Sequence, residues 1–216
     1  MKRRDFSVCA LTAALAGSVV LSPAQAQTRK PEAGREYLKL ARQVPVETPS
    51  GKIEVVEFFW YNCPHCNAFE PSLEAWSRTL PADVVLRRIP VGFRDNFVPQ
   101  QRLYFALQSM GLIDKLHAKV FTAIHVDRMD LSRGDAIAGW VAQQGVDRAK
   151  FIAAYDSPEI GKMVSQATAL QDAYSVAGVP ALGVAGRYYT DGAISGSMAR
   201  VLQIVDYLVA DVRAGK

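Results

Sequence analysis

The chain has 216 residues, half of them hydrophobic, with 25 basic against 21 acidic side chains and a formal charge of +4. Such a length supports one domain with a sizeable core, and the near-balance of charge gives no support to a nucleic-acid-binding protein. Only three cysteines occur, at positions 9, 63 and 66, too few and two of them too close for a disulfide-stapled scaffold.

The first 26 residues read as an export leader rather than as structure. Lys2, Arg3 and Arg4 form a basic start, an apolar stretch runs from about Val8 to Leu21, and Ala24-Gln25-Ala26 is a small-x-small cleavage site. The stretch is short for a spanning helix and Pro23 follows it, which favours a cleaved leader over a retained anchor. Arg3-Arg4-Asp5-Phe6 also resembles a twin-arginine signal, so either export route is open. Cleavage after Ala26 discards Cys9 and leaves residues 27–216 with a net charge of +2, an exported mature protein.

Ile53 to Trp60 is β-branched, aromatic and nearly continuous in apolar residues, the pattern of a strand buried on both faces. A connection through Asn62 leads into a helix from Pro64, with Phe69, Leu73 and Trp76 on one face and a stop expected at Pro81. Val84 to Val91 reads as a second strand, completing a βαβ unit. From about Phe93 to Gly178 the period is helical. Ser132, Asp147 and Ser157-Pro158 are candidate helix starts, and Gly178 is a candidate stop. Two short strands follow, Ala181–Ala185 and Arg187–Thr190, hinged at Ala185-Gly186, and then an amphipathic helix through Val201, Ile204, Val205, Leu208 and Val212. This order predicts an α/β sheet domain interrupted by helices.

Cys63-Pro64-His65-Cys66 falls where the first strand hands over to the helix. Unpaired N–H groups and the positive end of the helix dipole stabilise a thiolate at Cys63, Pro64 suits the first turn, and His65 adds positive charge or a hydrogen bond. Cys66, one turn further in, is expected to be shielded and to act as the resolving thiol. A disulfide closing so small a loop is a poor staple and a better chemical centre. A c-type haem site needs histidine directly after the second cysteine, and Asn67 stands there. A zinc site would have to add His117 or His125, with no second CxxC in the chain.

Glu57-Phe58-Phe59 followed by Cys63-Pro64-His65-Cys66, with Val179-Pro180 before a late hairpin, resembles the DsbA family of periplasmic thiol–disulfide oxidases in the thioredoxin superfamily. The resemblance implies a thioredoxin fold with an inserted all-helical domain, divided as 27–93 plus 170–216 and 94–169. It implies donation of the Cys63–Cys66 disulfide to reduced, unfolded exported polypeptides, with no cofactor beyond that disulfide and no metal. It also implies a monomer reoxidised by a DsbB-like, quinone-linked membrane oxidase. Pro180 matches the cis-proline that packs opposite the CxxC, with Val179 and Pro180 offering backbone to a substrate peptide.

Glu57, inside an apolar strand, is expected to hold its proton tightly unless paired. By resemblance it is a proton acceptor for Cys66, and the competing reading is a partly solvated strand-edge glutamate. Glu70 matches an acidic family position and reads as a solvated helix-face charge. Trp60, Tyr61, Phe93 and Trp76 are candidates for an apolar peptide groove, with Trp60 or Tyr61 nearest the cysteines. Two rivals remain. A periplasmic reductase or isomerase is disfavoured by the short Gln27–Gly51 segment ahead of the first strand, and a non-catalytic peptide-binding chaperone would work without its cysteines.

Overall fold

The computed structural model of the protein describes residues 29–215; the expected leader, its cleavage site and Cys9 lie outside the described residues. Strand β2 (Ile53–Phe59) is buried at every residue, as its unbroken apolar run requires. It sits inside a five-stranded sheet of order β1-β5-β4-β2-β3. Helix α1 (Pro64–Ser77) carries the chain over to β3 (Val84–Pro90), which runs parallel to β2 and sets Glu57 opposite Arg88 and Phe59 opposite Pro90. On its other side β2 pairs antiparallel with β4 (Ala181–Val184), and β4 forms a hairpin with β5 (Tyr188–Asp191).

Ala185 and Gly186 both adopt positive φ (52° and 66°), and the Arg187 N–H returns to the Val184 carbonyl at 2.9 Å, a tight hairpin turn of the primed kind. A Cβ at position 186 would stand 1.9 Å from the Val44 carbonyl oxygen, so the turn needs glycine for space as well as for φ. The sheet edge is completed by β1 (Leu38–Lys39), antiparallel to β5. No pattern announces this strand, because both of its side chains are exposed.

Between β3 and β4 lie α2 (Val98–Ser109), α3 (Ile113–His125), α4 (Gly134–Gln143), α5 (Arg148–Tyr155) and α6 (Pro158–Ala173). Asp147 caps α5 by accepting from the Lys150 N–H, and Ser157 caps α6 by accepting from the Ile160 N–H, each bond contributing about 1 kcal/mol. Ser132 does not cap α4. Arg133 occupies the cap position, and the Ser132 N–H is donated to Asp130 Oδ1. Nor does α6 reach Gly178. It ends at Ala173, where Tyr174 turns down against Phe58 and over Gly183, and Ser175 takes a φ of 53°. A short turn of helix, α7 (Gly192–Ser195), precedes α8 (Met198–Arg213).

Two apolar clusters form the core. In one, α8 and part of α1 cover Val55, Leu182 and Val184 with Phe69, Leu73, Val201, Ile204, Val205 and Leu208. In the other, Val56 and Phe58 from one face of β2 and Phe59 from the opposite face pack continuously with Leu103, Leu116, Phe121, Ile137, Trp140 and Phe151 of the helical block, in a cluster that also takes in Cys63 and Cys66. Helix α1 therefore starts in one core and ends in the other. Its Pro71 lies within the helix and withholds one backbone donor from the Asn67 carbonyl, four residues back.

Candidate active site

Cys63 occupies the cap position of α1 with extended backbone (φ −78°, ψ 117°), and Pro64 fills the first helical turn. Both cysteines are free thiols, and their surroundings differ sharply. Cys63 keeps 8% of its surface exposed, whereas Cys66 keeps none. A hydrogen bond from the Cys66 thiol, then the backbone N–H groups of Cys66 and His65 and the charge of His65, outweigh burial and bring Cys63 down to about 6. Burial, reinforced by the neighbouring Cys63 sulfur, pushes the Cys66 thiol far above its ordinary range. The pair thus divides into a stabilised thiolate at the surface and a thiol beneath it that keeps its proton.

This division has a measurable sign. In the reduced protein the ultraviolet absorbance of the Cys63 thiolate is expected to titrate with a midpoint near 6, below the ordinary thiol value of 9. A folded-state value below the unfolded one gives the reduced protein stability that is fully present above the unfolded thiol value and lost as pH falls through about 6. The oxidised protein has no such thiol. Melting both forms across pH 9 to 6 is expected to show the advantage of the reduced form shrinking with acidification.

The Val179–Pro180 peptide is cis, and the Val179 carbonyl lies 3.5 Å from the Cys63 sulfur, accepting from its thiol. Beside this loop a groove of about 500 Å³ is lined by His65, Gly178, Val179, Pro180, Gly192 and Met198, among others. His65 and Pro64 are exposed at the helix start. The groove wall formed by the start of α7 and α8 carries no chemical signal in the sequence, and was not anticipated.

Tyr61 is fully buried and cannot line a peptide groove. Its hydroxyl lies 2.8 Å from His117 Nδ1, and its ring packs edge-on against Phe59 and Phe121. The loop before Cys63 is pulled into the helical block, because His125 Nε2 also meets the Tyr61 carbonyl at 2.8 Å. Trp60 stays half-buried, stacked 4.0 Å from Phe97 and outside the groove residues, with Phe93 packed edge-on against Phe97. Trp76 packs against the other apolar cluster, where its indole N–H is donated to Asp206 of α8 at 2.8 Å. Asn62 is tied to α2 by the Gln100 amide at 2.7 Å.

Glu57 is wholly buried on a strand with neighbours on both sides, so it is no edge residue. Burial, together with the charge of Glu70, raises its carboxyl to about 8 despite Arg88, whose Nε lies 3.1 Å away but out of hydrogen-bond alignment. Its charge is among the influences that raise Cys66. Glu70 is buried too, rather than solvated on the helix face. Arg88 Nη2 reaches it at 2.8 Å and Glu74 at 3.2 Å. Sequence reasoning missed Arg88 and weighed His117 only as a zinc ligand. The available signal was a pair of arginines, Arg87 and Arg88, inside an otherwise apolar second strand, one strand away from a buried glutamate. As for zinc, His117 and His125 are engaged by Tyr61, and among the described residues no three His, Cys, Asp or Glu side chains are grouped to hold a metal ion.

The geometry has close parallels. Thiol:disulfide interchange protein DsbA of Bordetella pertussis is 42% identical over 215 residues, spanning 99% of this chain and all of that protein. The protein of the same name from Pseudomonas aeruginosa PAO1 is 42% identical over 204 residues, 94% of this chain and 96% of its own length. The crystal structure of Pseudomonas aeruginosa DsbA superposes with a TM-score of 0.82 at 42% identity, covering 86% of this chain and 96% of that one. Oxidoreductase DsbA from Xylella fastidiosa gives 0.81 at 34% identity, covering 86% and 99%. The fold is accordingly a thioredoxin fold carrying inserted helices. The family model for the DSBA-like thioredoxin domain matches residues 54–203, from the strand that leads to Cys63 into the helix that closes the sheet. On that match and those relatives, the chain belongs to the DsbA-like thioredoxin family and is a protein thiol:disulfide oxidoreductase.

Proposed function

We propose that the protein acts in the periplasm as a monomer, donates its Cys63–Cys66 disulfide to reduced, newly exported polypeptides, and is reoxidised by a DsbB-like membrane oxidase that passes electrons to quinone. The observation that carries this reading is the asymmetry of the cysteines, an accessible sulfur whose thiolate is stabilised above a buried thiol that is not. A substrate thiolate attacks the Cys63 sulfur, forming the mixed disulfide as the Cys63–Cys66 bond breaks. Cys66 departs with the electron pair and takes up one proton, for which Glu57, a buried carboxyl whose charge bears on the Cys66 thiol, is the store. A second substrate thiolate then attacks the substrate's own sulfur and releases the Cys63 thiolate, so two electrons have passed from substrate to protein.

Stabilising the released thiolate lowers the free energy of the reduced protein, which makes the disulfide oxidising. The Val179–Pro180 backbone and the groove beside His65 are where an extended peptide would lie against the sulfur. The redox centre is the cysteine pair itself, with no further cofactor. Residues 27–93 with 170–216 form the catalytic domain in this reading, and 94–169 the insertion. Equilibrating the mature protein in glutathione buffers tests it. A reduction potential above that of the glutathione pair is expected, and a reducing, thioredoxin-like value would move the protein to the reductase branch.

A further inference from the structure

Beneath Cys66 the sheet and helices enclose a chain of polar groups larger than the reaction described so far uses. Glu57 and Glu70 share one guanidinium, Arg88, and beyond Glu70 stands His117, whose Nε2 is 3.5 Å from Glu70 Oε1. With both carboxylates ionised and the imidazole neutral, these buried groups would carry a net negative charge, which the interior resists. One proton must be held among them. Among the described residues, Glu57 Oε1 and Oε2, Glu70 Oε2 and His117 Nε2 are all buried without a hydrogen bond, and Arg88 favours Glu70, to which it is aligned, over Glu57.

The tautomer of His117 decides which carboxyl holds that proton. Tyr61 is fully buried and its phenol is held firmly protonated by burial, so its O–H donates to His117 Nδ1 at 2.8 Å. That leaves the ring N–H on Nε2, facing Glu70. The opposite tautomer would turn a lone pair toward a carboxylate. Burial also pulls the imidazole below its ordinary value, so His117 acts as an oriented dipole rather than as a cation. Against burial, which works the other way, His117 and then Arg88 hold Glu70 below the usual carboxylate range. The ionisable groups facing the imidazole are Tyr61 from the loop, Glu70 and Glu74 from α1, Arg88 from β3 and Tyr104 from α2.

We propose that His117, fixed by the Tyr61 hydroxyl, is a positioning residue for the proton that serves Cys66: it keeps Glu70 as the ionised partner of Arg88 and so leaves the proton on Glu57. The proposal rests on the reading of Glu57 as the proton store for Cys66. Without His117, Glu70 competes for the proton, Arg88 is freed to serve Glu57, and the store beside the sulfur is depleted at neutral pH.

Carbon-13 NMR of the glutamate carboxyls in the full-length reduced protein tests this, with the Glu57 signal assigned by its loss in Glu57→Gln. His117→Leu is expected to lower the Glu57 midpoint by roughly one pH unit, a tenfold change in its ionisation constant. His117→Gln, which still presents an N–H to Glu70, is expected to keep the wild-type midpoint, and Tyr61→Phe to lower it by a smaller amount. A Glu57 midpoint unmoved in His117→Leu, or moved equally by leucine and glutamine, overturns the proposal. Should His117→Leu fail to fold, an unmoved midpoint in Tyr61→Phe overturns it instead. Failure of the underlying reading shows elsewhere, as unchanged kinetics of Cys66 release in Glu57→Gln.

Discussion

Cys63→Ser is expected to reduce disulfide donation to the uncatalysed background, while Cys66→Ser is expected to produce a protein that reacts once and stops. The two cysteines differ by three residues in sequence but by their whole physical setting. Cys63 is the only one of the pair with exposed surface, and it lies against the Val179 carbonyl where a peptide backbone can approach. Cys66 is fully buried and its thiol is pushed upward, so it supplies almost no thiolate to incoming chains when Cys63 is gone. In Cys66→Ser the Cys63 thiolate survives and still attacks accessible protein disulfides. The mixed disulfide it forms has no thiol beneath it to displace the partner. Non-reducing electrophoresis of each variant with a reduced and with an oxidised substrate distinguishes these fates. Full oxidase activity in Cys63→Ser, or no accumulation of mixed species in Cys66→Ser, would sink the assignment of roles.

The second large effect is expected far from the surface. Arg88→Met removes the one guanidinium, among the described residues, that reaches both Glu57 and Glu70, and leaves the Glu70 carboxylate with only the imidazole of His117 beside it. A loss of about 3–5 kcal/mol at neutral pH is expected, read from denaturant unfolding of the reduced protein. The loss should diminish on acidification as Glu70 accepts a proton, Glu57 already holding one at neutral pH. Glu57→Gln alone carries an opposite signature. The folded value of Glu57 is raised to about 8 from the ordinary 4.5, so its favourable contribution is complete below 4.5 and lost as pH rises through 8. The substitution is therefore expected to gain stability relative to the wild type as pH increases over that window. A gain independent of pH would show that Glu57 does not titrate there.

Which of these features the sequence displays follows from how local each is. The run Ile53 to Trp60 has to be interior, and the structure buries all seven residues of β2. Asp147 and Ser157 cap their helices because a cap is a bond across three residues. Glu57 and Arg88 lie 31 positions apart and meet only through the parallel register of β2 and β3, which no local pattern contains. Tyr61 misleads for a similar reason. An aromatic two residues before a reactive cysteine reads as part of a binding surface, whereas His117, 56 residues later, draws it into the interior. Strand β1 escapes notice because two exposed residues, Leu38 and Lys39, leave no alternation to detect. The end of α6 is set by where Tyr174 packs, and so the glycine at 178 marks the next loop rather than the helix stop.

The inserted helices share one apolar cluster with the catalytic sulfurs, so this part of the chain is not a detachable attachment. A substitution at Leu116, Phe121 or Trp140 reaches the redox centre through packing alone, without altering any residue of the motif. The oxidising strength of the pair is thus expected to answer to buried side chains outside the tetrapeptide as well as to those within it. Selection acting on the insertion for stability would drag the electrochemistry along with it, and a directed-evolution campaign aimed at potency has as much to gain from that interior as from the pair between Cys63 and Cys66.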